Sequence, residues 1–169
     1  MIGHPPSDQM SKSFLTAFIL LALATSGWTE VIRPAPNFTW PRSGSGANSL
    51  NELRGQPVVL VIAPSPKSRA FRKQAKRLEF LYNQFAAQKV VFIAAFFRES
   101  STRIPSDIPW VVVADGAQVA ALYGVTKGFA IAVIGKDGNI DFQSTRVQPA
   151  KKVKDIVMNS LVMQKELRR

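Results

Sequence analysis

The chain has no cysteine, and its only histidine, His4, lies at the extreme N-terminus. The first absence excludes disulfide exchange, thiol peroxidase chemistry and any cysteine nucleophile, because each of these needs a thiolate. The second removes the side chain that titrates near neutral pH, so a Ser-His-Asp site is excluded and a zinc site is disfavoured. Long hydrophobic runs are missing too. The most apolar stretch, residues 14–24, has about half the length a membrane-spanning helix needs. Acidic residues are scarce: eleven Asp and Glu stand against twenty-two Lys and Arg, a formal net charge of +11. A field of that sign favours anionic surfaces, lipids or polymers, or simply keeps the protein soluble.

What is present begins with a leader. Lys12 precedes the apolar run, and Ala22-Leu23-Ala24 supplies the small-x-small pattern of a secretory cleavage site. Cleavage is expected after Ala24 or within the next few residues, with Met1 or Met10 as the start, and His4 leaves with the leader. Lipid attachment through an acylated Cys at the cleavage site is not expected. The expected location is the bacterial periplasm or the cell exterior. The remaining length, with 46% hydrophobic and 20% charged residues in the whole chain, suits one domain with its own core. The expected organisation is a signal peptide at 1–24, an extended lead-in and flexible loop at 25–48, and an α/β domain at 49–169.

Residues 28–48 are rich in Pro, Gly and Ser and read as loop. Leu50 to Gly55 reads as a short helical turn closed by glycine. Val58-Val59-Leu60-Val61-Ile62, bounded by Pro57 and Pro64, is a continuous β-branched run and predicts a strand buried on both faces at the sheet centre. One long helix is expected over 68–88, with Phe71, Ala75, Leu78, Tyr82 and Phe85 on a single stripe. Strands follow at 89–97 and 110–114, then a short helix at 118–123 ending at Gly124. Strands at 129–134 and 139–142 are joined by Lys136-Asp137-Gly138, where Asp-Gly suits a hairpin. An amphipathic helix at 149–167 closes the chain, with Val153, Ile156, Val157, Ser160 and Leu161 on one side. Right-handed crossovers then place parallel strands in the middle of a mixed sheet, a C-terminal antiparallel hairpin at one edge, and helices on both faces. This is the thioredoxin-like layout; the hairpin argues against a flavodoxin-like sheet.

The motifs agree with that layout. Pro36-Asn37-Phe38, Leu53-Arg54-Gly55-Gln56-Pro57, Tyr123-Gly124-Val125 and Ile134-Gly135-Lys136-Asp137-Gly138, in this order and spacing, resemble the peroxiredoxin and redoxin branch of the thioredoxin superfamily. A closer similarity is to an uncharacterised thioredoxin-like family of exported bacterial proteins. It shares Ala63-Pro64 at the end of the first strand, the Gly-Lys-Asp-Gly turn, and a final helix ending like Met163-Gln164-Lys165-Glu166-Leu167-Arg168. In peroxiredoxins a Pro-x-x-x-Thr/Ser-x-x-Cys loop opens the helix after that strand. Here Pro64 and Ser68 match, Ser65 and Lys67 lie between them, and Phe71 replaces the nucleophile. In the thioredoxin register, Ser65-Pro66-Lys67-Ser68 takes the place of Cys-x-x-Cys. The resemblance also implies a peroxide-activating Arg near Phe129, and a cis-Pro near Phe129 or Ala130; this chain has neither. It therefore implies a scaffold of oxidoreductases without their chemistry, and no cofactor is expected.

Other residues suggest binding. Arg69, Arg72, Lys73, Lys76 and Arg77 occupy the side of the long helix opposite its apolar stripe, with Phe80 among them. They form a candidate surface for a protein or an anionic envelope component, the cations attracting and the ring anchoring. Because large exposed aromatics are uncommon, Phe80 is expected to pack beneath the lead-in. Lys67, Ser68 and Arg69 at the helix start could hold an anion, but a simple cap by Ser65 or Ser68 is the expectation. Asp137, Asn139 and Asp141 alternate like calcium ligands yet lack the later glycine and glutamate of an EF-hand, so they read as a turn and no metal is expected. Lys151, Lys152 and Lys154 read as solvated charges. Nucleic acid is disfavoured by the expected location and by aromatics confined to strands and core stripes. The expected function is that of a redox-inactive, exported binding module. The competing expectation is an antioxidant enzyme using non-thiol chemistry, with Ser65 or Ser68 and Asp115.

Overall fold

A computed structural model describes residues 33–42, 44, 46, 48–99 and 103–166, with side chains described as far as residue 160. The leader at 1–24 and the side chain of Leu161 lie outside the described residues.

The apolar run after Pro57 becomes β1, Val58–Ala63, every residue of which is buried. It occupies the middle of a five-stranded sheet ordered β3-β2-β1-β4-β5. The others are β2 (Val91–Phe96), β3 (Trp110–Val112), β4 (Ala130–Ile134) and β5 (Ile140–Ser144). β2 runs parallel to β1 and to β3, whereas β4 pairs antiparallel with β1 and with β5, so the mixed sheet with its C-terminal hairpin is as expected. Gly138 makes that hairpin possible: its φ of +83° lies where a side chain would be strained.

The two-residue period of β1 divides the core. Val58, Leu60 and Ile62 face one side with Phe38, Trp40, Val119 and Tyr123. Val59, Val61 and Ala63 face the other with Phe71, Leu78, Phe129 and Val153. Helices cover both sides: α1 (Arg69–Glu79), α2 (Tyr82–Ala87) and α4 (Ala150–Glu166) are on the second, and α3 (Gly116–Leu122) on the first.

Local chemistry moves several boundaries. The expected single helix over 68–88 is two: Phe80 ends α1, and Leu81 donates to Leu78 O at 3.1 Å, a tighter turn than α-helical, before α2 begins. The strand expected from Lys89 starts at Val91, because Lys89 (φ 56°) is the left-handed residue that ends α2. The helix expected at 118–123 starts at Gly116, because Asp115 Oδ1 accepts from Gln118 N at 2.8 Å and caps it. Gly116 lies so close to β2 that an added Cβ would sit 2.1 Å from Phe96 O.

The lead-in contributes to the core. Phe38 and Trp40 are buried, an arrangement fixed by bonds from Trp40 N to Asn48 O and from Leu50 N to Phe38 O. Tyr123, whose hydroxyl donates to Pro36 O at 3.2 Å, packs on Phe38, and burial pushes its pKa up.

Candidate functional site

The chain leaves β1 at Ala63 and turns through Pro64 to Ser68 into α1. The turn is tied to β2's exit, since Phe97 N donates to Ala63 O and Arg98 N to Pro64 O. Within it Ser68 N donates to Ser65 O at 3.1 Å. Ser68 has extended backbone and its Oγ accepts from Phe71 N at 3.4 Å, so this serine is the helix cap expected from sequence. Lys67 extends outward to an ion pair with Glu99 at 3.3 Å, and with its side chain 84% exposed it contributes little.

Phe71, one turn into α1, is fully buried. Its ring meets Phe96 edge-on at 5.0 Å between centroids and Trp110 at 5.4 Å. Trp110 in turn packs on Phe92 at 5.6 Å, and Phe92 on Phe85 at 5.5 Å. The space in which the family resemblance would put a nucleophile is thus filled by a ring continuous with the core. Phe129 and Ala130, where an activating Arg or a cis-Pro would stand, are also buried, and among the described residues there is no cis peptide.

Ser65 and Ser68 carry the competing non-thiol reading. Asp115, the acid considered as their partner, spends its Oδ1 on the α3 cap, and among the described residues neither Ser65 nor Ser68 donates to a carboxylate. A serine without a base is a weak nucleophile. Asp137 folds back to accept from Asn139 N at 3.0 Å and from Asn139 Nδ2 at 2.8 Å, the geometry of a turn. Partial burial raises the Asp141 carboxyl above its ordinary value, with a bond from the Ser160 hydroxyl opposing and Asp137 adding. Among the described residues no group of three or more potential ligands is gathered for a metal.

On α1, Arg69, Arg72, Lys73 and Lys76 are exposed, Arg77 is half-buried, and none is in an ion pair among the described residues. Phe80 departs from expectation. It is 87% exposed and does not pack beneath the lead-in, because α1 ends there and the preceding Leu78 takes the core position.

Beside Phe80 lies a feature invisible in the sequence. Arg77, Phe80 and Leu81 face Pro149, Lys151 and Lys154 across an open groove of about 530 Å³. Its walls are joined by a buried amide pair: Gln74 Nε2 donates to Gln148 O at 3.1 Å, and Gln148 N donates to Gln74 Oε1 at 2.7 Å. Arg77 adds a bond to Val147 O at 3.4 Å. Of the lysines read as solvated, Lys152 lies 4.7 Å above the Phe142 ring and Lys151 pairs with Asp155 at 2.9 Å.

Comparison with known proteins agrees with this architecture. A family model described as AhpC/TSA matches residues 31–143. A Chlorobium tepidum protein described as a thiol:disulfide interchange protein DsbE is similar in structure, with 19% identity over 77% of this chain and 96% of its own, and a TM-score of 0.61. Peroxidoxin BcpB from Mycobacterium tuberculosis has 19% identity over 78% of this chain and 96% of its own, at a TM-score of 0.56. For reduced 2-Cys peroxiredoxin from Plasmodium vivax the identity is 14% over 78% and 96%, at 0.59. Among curated proteins none matches the sequence.

Proposed function

The chain belongs to the AhpC/TSA family, and we propose that within it this protein is a redox-inactive, exported binding module. The observation that carries the reading is Phe71: the position where the family resemblance implies the peroxidatic nucleophile holds a fully buried ring packed between Phe96 and Trp110. Near Phe129, where the resemblance implies the activating Arg, the position is likewise taken by a buried ring.

Export rests on Lys12, the apolar run at 14–24 and Ala22-Leu23-Ala24. Among the described residues no helix is long and apolar enough to cross a membrane. Binding rests on the exposed cations of α1, Arg69, Arg72, Lys73 and Lys76, which form no ion pair among the described residues, together with Arg77 and the exposed Phe80. An anionic partner gains from such a surface most at low ionic strength.

The experiment has two arms. Purified protein is assayed for peroxide consumption and disulfide exchange, with a denatured sample as control, and then used as bait in envelope extract. The expected result is turnover no greater than the control, and partner retention that falls as salt is raised. Turnover well above the control, or no specific retention at any salt, overturns the reading.

A further inference from the structure

We propose that the groove between the end of α1 and the start of α4 binds an acidic peptide segment of a partner protein, which seats one apolar side chain against Phe80. This rests on the reading of the protein as a binding module and adds where the ligand sits and what chemistry it carries.

Phe80 is the most exposed of the large hydrophobic residues described. Its ring adjoins Leu81, Pro149 and Ala150, so the floor is apolar, while Arg77, Lys151 and Lys154 stand around it. Among the described residues, only Lys151 of these three has an acidic partner, Asp155, while Arg77 and Lys154 have no carboxylate partner. An apolar anchor within a cationic rim is complementary to a segment that alternates carboxylates with a large apolar residue.

The groove is also built in advance. The Gln74 and Gln148 amide pair and the Arg77 to Val147 bond fix its two walls, so a ligand need not order them. Its volume of about 530 Å³ is enough for a buried side chain and its neighbours.

Charge and shape exclude the other occupants. A second copy on a twofold axis would set Arg77 and Lys154 against the same cations, in a chain already carrying +11. A polyanion without apolar groups would leave Phe80 in water. A lipid surface would meet a single ring and leave the concave space beside it unfilled.

The test pans a displayed library of random dodecapeptides on the full-length protein and then measures the best synthetic peptide in solution by fluorescence anisotropy. Enriched peptides are expected to carry net negative charge and at least one Leu, Phe or Trp. Affinity is expected to fall at least tenfold for Phe80→Ala, with an unchanged melting temperature because that side chain is 87% exposed, and again for Lys154→Glu, whose melting temperature is measured alongside because Lys154 is half-buried. Replacing the peptide's apolar residue by Ser is expected to weaken binding similarly. Enrichment without acidic residues, or undiminished binding to both variants, overturns the proposal. So does Phe80-dependent retention on phosphatidylglycerol vesicles with no peptide bound, which would assign the surface to a membrane. Capture of an envelope partner equally by wild type and Phe80→Ala also overturns the groove while leaving the binding reading intact. Peroxide or disulfide turnover would overturn that underlying reading whatever the peptides do.

Discussion

Replacing Phe71 separates a filled site from a merely mutated one. The ring is fully buried against Phe96 and Trp110. A buried phenylalanine removes roughly 150–250 Å² from water, about 4–6 kcal/mol at ~25 cal/mol per Å² as an upper bound. Measured Phe→Ala losses in cores are about 3–5 kcal/mol. We expect Phe71→Ala to cost about 4 kcal/mol in urea unfolding followed by circular dichroism, and to lower Tm by roughly 10–15 °C for a domain of this size. Phe71→Cys restores the sulfur, and is expected to lose only slightly less stability because most of the volume still disappears. The new thiol would lie among rings, where burial raises its pKa and disfavours thiolate. It should react with a thiol reagent far more slowly in folded than in unfolded protein, and peroxide consumption should stay at the wild-type level. A stability loss below about 1 kcal/mol, or rapid peroxide turnover by Phe71→Cys, would refute the argument that this position is sealed.

Three further substitutions test other parts of the fold. Gly116→Ala should lose at least ~2 kcal/mol in a thermal melt, because the new Cβ meets the Phe96 backbone at 2.1 Å; a neutral result would contradict that close approach. Gln74→Leu should destabilise by about 2–4 kcal/mol although it makes the core more apolar, since it leaves Gln148 N–H and C=O without partners; an unchanged or raised stability would refute this. Asp141, whose carboxyl is held above its ordinary value chiefly by burial, favours the folded state when protonated. That contribution is complete below the unfolded pKa of about 4 and is lost as pH rises through the folded one. Asp141→Asn should therefore match wild type near pH 3 and exceed it at pH 7 in denaturant titrations; lower stability at pH 7 would sink the argument.

Most of the sheet was legible because its signals are local. The β-branched run of β1 and the Asp-Gly turn each specify their conformation within a few residues. The stripe of Phe71, Ala75 and Leu78 likewise announced which face of α1 is buried. Gln74 shares that face at helical spacing, yet its polarity concealed it, since a partner 74 positions away decides its burial. The break after α1 escaped because Phe80 reads as another apolar helical residue, and the tight turn at Leu81 has no glycine or proline to mark it. Phe38 and Trp40 were hidden by Pro- and Ser-rich surroundings that read as loop. As for the site, the missing nucleophile could be read by aligning Phe71 with the family loop. The groove could not be read, because Arg77 and Phe80 meet Pro149 and Lys154 only through the tertiary fold.

The reciprocal bonds between Gln74 and Gln148 also join the first core helix to the segment that leads into the last. Until synthesis passes residue 148, α1 presents to β1 a face with an unanswered amide at its centre. Truncation before residue 148 is therefore expected to cost stability beyond the lost helix contacts, since a buried unsatisfied polar group costs about 1–3 kcal/mol.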